Sequence, residues 1–282
     1  MVLVLLPPSE TKAAPAPRGR PVDLAALSFP ELTPTRERVL DALVATSSAP
    51  DVLARLFVGP GAAAEVARNA RVRHLPARPA LEVYRGVLHD ALDVASLSAP
   101  ARRRAADRVV VVSGLWGALR PTDRIPPYRL NVCSRLVGMP ALEPMWRRVL
   151  PAVLVRAAGR GLVVDCRSSS YRSMGAPTDL APRTAVVRVV RDEAGRRSVA
   201  SHDAKRTRGE VTRFLLESGA DPGTPEGLAE ALAARWPTEL APPARASQPW
   251  TIDVVERVRR GERAAGPARS RPGADEPVHP RA

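Results

Sequence analysis

The sequence predicts an α/β (α+β) fold built round a mixed sheet. Three observations lead there. Val2-Leu3-Val4-Leu5-Leu6 is a short continuous apolar run stopped by Pro7-Pro8, the pattern of a buried strand. Val109-Val110-Val111-Val112-Ser113 places four β-branched residues in a row, which implies burial on both faces. Segments with a helical apolar period, such as Val39, Leu40 and Leu43, alternate with such runs.

Taken in order, the first strand delivers Ser9 and Lys12 to a strand end, where open α/β proteins place their chemistry. An ordinary polar turn reads the same way there. Residues 13–22, rich in Pro and Arg, read as a loose loop. Two helices are expected between residues 33 and 57, the first capped by Thr33 or Thr35, and a third over 60–70. Residues 81–86 read as a strand and turn, and His89 and Asp90 as the surface start of a helix. A basic helix over 101–108 feeds the valine strand.

Residues 114–130 follow as a hairpin and a rigid loop shaped by Pro126-Pro127. The hairpin's backbone N–H groups are candidates to meet a phosphate. Trp116 reads as core, and Arg120, Arg124 and Arg129 as either phosphate contacts or solvated cations. One helix over 145–158 leads to a strand over 162–166, which ends in Asp165, Ser168, Ser169 and Tyr171. Serines there either cap a helix or, with its dipole, hold an anion. A hairpin of 185–190 and 197–200 runs into His202 and a helix over 204–216. A helix over 225–235 and a strand over 250–254 close the fold, giving a domain over 1–261 and a disordered basic tail over 262–282.

The helix at 204–216 carries the most specific compositional signal. Lysine occurs only at Lys12 and Lys205, so 41 of the 43 basic side chains are arginine. Lysine offers a compact charge, three rotatable donors and a pKa that burial lowers, none of which arginine supplies. Either these two places need an ammonium group, or they are leftovers of a composition skewed to Ala, Arg and Pro. Lys205, Arg208 and Thr212 fall on one helical face as a cationic ridge, and Gly209 inside the helix points to a close approach by another group.

Net charge of +14 and a pI near 11.3 point toward a polyanion, although the arginines after residue 256 account for part of it. Cys133 and Cys166 lack any CxxC spacing and read as buried free thiols, and four scattered histidines add no ligand pattern, so neither metal nor cofactor is expected. The opening apolar run has no basic region before it and no apolar stretch is of spanning length, which excludes a membrane partner and predicts a cytoplasmic protein.

Several blocks together resemble the YaaA-like peroxide-stress protein family: residues 5–12 (LLPPSETK), 84–86 (YRG), 113–123 (SGLWGALRPTD), 127–130 (PYRL), 204–209 (AKRTRG) and Arg213-Phe214. The match runs from about residue 2 to 255 in the family's order. At the amino end the family's commoner form reads Ser-Pro-Ala-Lys-Thr, so Ser9 and Lys12 stand in a different local order here. The resemblance implies a single domain of unusual topology with a helix-hairpin-helix-like element and a positively charged cleft. It implies a cytosolic protein, expected as a monomer, that binds double-stranded DNA and limits damage from unincorporated iron. By family position it carries over Lys12, Arg120, Asp123, Tyr128, Arg129, Lys205, Arg208 and Arg213.

Two functions therefore stand. In one, a cationic cleft binds duplex DNA through backbone phosphates, without base specificity. In the other, Lys12 and Lys205 converge with Ser9, Asp165, Ser168 and Tyr171 on one site for a phosphorylated, nucleotide-like or amino-acid-like substrate, one lysine serving as nucleophile or base and the other as anion clamp.

Overall fold

A computed structural model describes residues 1–193, 196–199 and 203–257 of the chain. The first strand, β1 (Leu3–Leu6), is buried along its whole length. Helices α1 (Thr33–Ser47), α2 (Val52–Arg55) and α3 (Ala63–Asn69) follow, then the short strand β2 (Arg78–Pro79). Next come α4 (Ala80–Val83), α5 (Val87–Leu92), α6 (Ala99–Arg108) and the valine strand β3 (Val109–Ser113), also fully buried. β4 (Gly117–Leu119), β5 (Arg124–Ile125), α7 (Leu142–Arg147), α8 (Leu150–Ala158) and β6 (Val163–Asp165) lead to α9 (Ser169–Arg172) and the hairpin β7 (Thr184–Glu193) and β8 (Arg196–Val199). The chain closes with α10 (Asp203–Ser218), α11 (Pro225–Ala233), β9 (Thr238–Ala241) and β10 (Trp250–Arg257).

Eight strands form one mixed sheet in the order β4-β3-β1-β6-β7-β10-β9, with β8 added to β7. β1 pairs parallel with β3 and β6, and β6, β7 and β10 continue the parallel ladder. β4, β8 and β9 pair antiparallel. Leu5 lies opposite Val110 on one side and Asp165 on the other, so β1 is an interior strand, paired along both edges. β2 and β5 make a separate two-stranded ladder.

The centre is apolar because its strands face packing on both sides, as their unbroken hydrophobic runs require. Arg36 of α1 is fully buried and donates to the carbonyls of Trp116, Ala118 and Ser28, which clamps α1 onto the β3–β4 hairpin. α10 lies against α5 and β7. A Cβ on Gly209 would stand 2.2 Å from the Leu88 carbonyl oxygen, so the close approach read from the sequence is that of α5.

Three local expectations are corrected, and one strand, β9, had no expectation. Residues 81–83 belong to the helical turn α4 and not to a strand, with Ala80 and Val83 buried at i and i+3, and Tyr84 then runs extended and makes a single antiparallel bridge with Lys12. The helix expected over 145–158 is two, since Pro151 lacks an N–H and its ring excludes the carbonyl four residues earlier. Neither Thr33 nor Thr35 caps α1; Leu32 holds that position, a short 3-10 turn over Pro30–Leu32 feeds the helix, and the Thr33 hydroxyl is buried without a partner. β9 was hidden by its half-exposed TELA sequence. His202, Ala200 and the tail over 262–282 lie outside the described residues. No helix among the described residues is long and apolar enough to cross a membrane.

Candidate ligand cleft

From β1 the chain builds β3 on one side and later β6 on the other. The loops leaving β1 and β6 therefore part at the carboxyl end of the sheet, the place where open α/β sheets form a crevice. A cleft of about 740 Å³ lies there. Its walls come from residues 7–11 after β1, 86–89 at the start of α5, 131–133, the loop and turn after β6, and the first turns of α10. Phe57 stands on its wall as well.

Of the residues singled out in the sequence, Ser9, Ser168, Tyr171, Lys205 and Arg208 line this one cleft. Lys205 is exposed and has no ion-pair partner among the described residues. Arg208 spends its Nε on the Val187 carbonyl (3.1 Å), which leaves its two terminal nitrogens for the cleft. Burial holds the Tyr171 hydroxyl far above the usual phenol range, so it serves as a neutral donor.

Lys12 does not line the cleft. It borders a small separate recess with Glu65, Arg68 and Tyr128. Its ammonium sits 4.2 Å from the Tyr128 ring centroid and 5.9 Å from that of Tyr84, and donates to the Glu10 carbonyl. The side chain is half-buried, with its amino end between the two tyrosine rings. That packing lowers its pKa to about 7, helped by the Arg129 charge and opposed by Glu10 and Glu65. The Tyr84 ring packs at 5.3 Å on His89, so two rings connect Lys12 to the cleft floor.

The remaining candidates are engaged in the fold. Tyr128 bonds Tyr84 (3.0 Å) and Ser113 (2.7 Å) through its hydroxyl. Arg129 bridges Glu10 and Glu65. Asp123 accepts from Ser28 and from the Arg120 amide, while the Arg120 guanidinium reaches the Asp107 carbonyl and lies 5.5 Å from the Phe29 ring. Arg213 holds the carbonyls of Leu92 and Asp93 at the far end of α10. Asp165 forms a fully buried two-point pair with Arg167 and faces a second cavity of about 510 Å³. Ser169 opens α9 outside the cleft lining, and Gly209 is consumed by the contact with α5. The 114–130 hairpin is core as well: the amides of Leu115 and Trp116 both turn inward to the Ser113 hydroxyl, so they are not free for a phosphate.

Three cleft residues escaped the sequence reading. His89 is buried and not at the surface. It shares a face with Leu88 and Leu92, and counting it within that apolar stripe would have placed it. Cys133 is exposed on the cleft wall and not buried, whereas Cys166 is buried as expected. Phe57 carried no periodic signal, since its position follows from a chain reversal.

Fold and site together define a mixed α/β protein with a ligand-sized cleft at the switch point of its sheet. The chain belongs to the family described as peroxide stress protein YaaA, whose model matches residues 2–238. It is 47% identical to a UPF0246 protein of Streptomyces coelicolor over 258 residues, 90% of this chain and 98% of that one. A UPF0246 protein of Corynebacterium efficiens is 37% identical over 234 residues (81% and 91%), and one of Cereibacter sphaeroides is 33% identical over 240 (80% and 90%).

Proposed function

We propose that this peroxide-stress family member acts by holding a phosphate-bearing small ligand in the cleft. One observation carries the reading: Lys205 and the free end of Arg208 share a concave site with the hydroxyls of Ser9, Ser168 and Ser170. Charge-assisted hydrogen bonds in a partly closed site suit a phosphate. Lys205→Arg separates a binder from an enzyme. A binder keeps its affinity for ribose 5-phosphate, while turnover that depends on the lysine amine is lost. Failure of the wild-type chain to bind ribose 5-phosphate at low salt sinks the reading.

Double-stranded DNA is the second ligand, favoured by exposed Arg85 and Arg135 near the cleft and by the net charge of +14. In this reading a helix-hairpin-helix-like element adds backbone contacts, and protection from unincorporated iron follows from shielding the DNA, without ligation by the chain. A salt titration with a short duplex is expected to give a steep log–log slope that falls by about 1 in Lys205→Ala. Salt-independent binding overturns it.

A further inference from the structure

Two features of the cleft are left unused by a bare phosphate. The first is Phe57. Its neighbour Leu56 is fully buried, yet Phe57 is 53% exposed on the cleft wall, with φ of 51° in the left-handed region that non-glycine residues avoid. The backbone that carries the ring is pinned. The Phe57 amide donates to the Ala54 carbonyl at 3.2 Å, the Leu56 carbonyl accepts from Nδ2 of Asn131 at 3.1 Å, and the Arg135 amide donates to the Arg55 carbonyl at 2.9 Å. The Arg135 guanidinium lies 5.4 Å from the ring centroid. An exposed ring fixed in a strained backbone, with an arginine beside it, is the arrangement on which nucleobases stack.

The second feature is His89, 5% exposed on the cleft floor. Its Nε2 is 3.2 Å from the Pro7 carbonyl oxygen, which can only accept, so Nε2 carries the proton. Nδ1 is then a lone-pair acceptor without a hydrogen-bond partner, and it is closed off in the cleft, so a donor meets it through a small turn of the ring. Burial also pushes the ring's pKa down to about 4, which keeps it neutral. A buried acceptor left unpaired is costly unless a ligand supplies the donor.

We infer that the cleft is built for a nucleoside phosphate. The base stacks on Phe57, an N–H of the base donates to Nδ1 of His89, and the phosphate meets Lys205 and Arg208. This rests on the phosphate-binding reading above and adds the base to it. The ligand supplies what each wall lacks: a flat π face, a donor and a negative charge.

The test is calorimetric titration of the full chain with the four ribonucleoside 5′-monophosphates, the matching nucleosides and ribose 5-phosphate. At least one nucleotide is expected to bind tenfold or more tighter than ribose 5-phosphate. Phe57→Ala should remove that advantage and leave ribose 5-phosphate unchanged. Lys205→Ala should weaken both phosphates and spare the nucleoside. On the unsubstituted chain, nitrogen NMR should report His89 as the Nε2–H tautomer, with Nδ1 shifting when that nucleotide is added and staying put with ribose 5-phosphate. That readout does not depend on how a His89 variant folds. If ribose 5-phosphate binds and no nucleotide binds tighter, or if Nδ1 ignores the nucleotide, the nucleoside inference is overturned and phosphate binding stands. If no phosphate compound binds, both are overturned.

Discussion

The ammonium of Lys12 lies 4.2 Å from the centroid of the Tyr128 ring, and burial with the Arg129 charge lowers its pKa to about 7. An unfolded lysine titrates near 10.5. Between those values the unfolded chain binds the extra proton, so stability gains a contribution as pH rises from about 7 toward 10.5. Below pH 7 both states are charged and the packed ammonium is a standing cost. With only two lysines in the chain, ¹³C-dimethylation gives a spectrum simple enough to follow. Lys12 is expected to titrate near pH 7; a midpoint near 10 refutes the placement.

Asp165 and Arg167 are both nearly fully buried and meet at 2.8 and 3.0 Å. Asp165→Asn or Arg167→Met strands one partner and should cost about 3–5 kcal/mol in urea unfolding. Replacing both with apolar residues should cost less than either single change. Equal or additive losses would mean that the pair is not the unit.

Gly209→Ala puts a methyl group where the Leu88 carbonyl already stands. Overpacking of this kind costs about 1–3 kcal/mol. For a chain of this size each kcal/mol lowers the melting temperature by about 2–4 °C. An unchanged melting temperature would show that α5 and α10 sit farther apart.

The two cysteines should behave differently toward peroxide and alkylating agents. Cys166 is buried and its thiol is pushed up to about 12, chiefly by burial, whereas Cys133 is exposed on the cleft. Only the thiolate reacts. Mass spectrometry of the native chain after iodoacetamide at pH 8 should find Cys133 modified and Cys166 intact, with both modified in urea. Equal labelling of the native chain contradicts this.

Much of the fold was legible because its central strands announce themselves. Val2–Leu6 and Val109–Val112 are so uniformly apolar that only burial on both faces suits them, and β1 and β3 are fully buried interior strands. The edges were less legible: TELA at β9 has neither a long run nor a clean alternation. The 81–86 segment has strand-like residues, yet its first three close the helical turn α4 and only Tyr84 makes a bridge, a division that tertiary packing decides. At the cleft, Ser9, Ser168, Tyr171, Lys205 and Arg208 were found because residue type and position after strands mark them. Arg120, Arg129 and Arg213 look identical in sequence to free cations, and their partners, Asp107, Glu10 and Leu92, are 13, 119 and 121 residues away. Of the three, only Arg213 has a partner legible nearby, Glu217 one helical turn on.

At Gly209 two helices touch backbone to backbone, with no side chain between them to act as a cushion. Leu88 and His89 on α5 and Lys205 and Arg208 on α10 therefore travel as one rigid wall. The loop after β1 is tied to the same wall, by the contact of Pro7 with His89 and by the Arg85 amide on the Thr11 carbonyl. The fold thus sets the cations and the floor of the site on one welded unit, so the spacing between them is fixed by the α5–α10 contact.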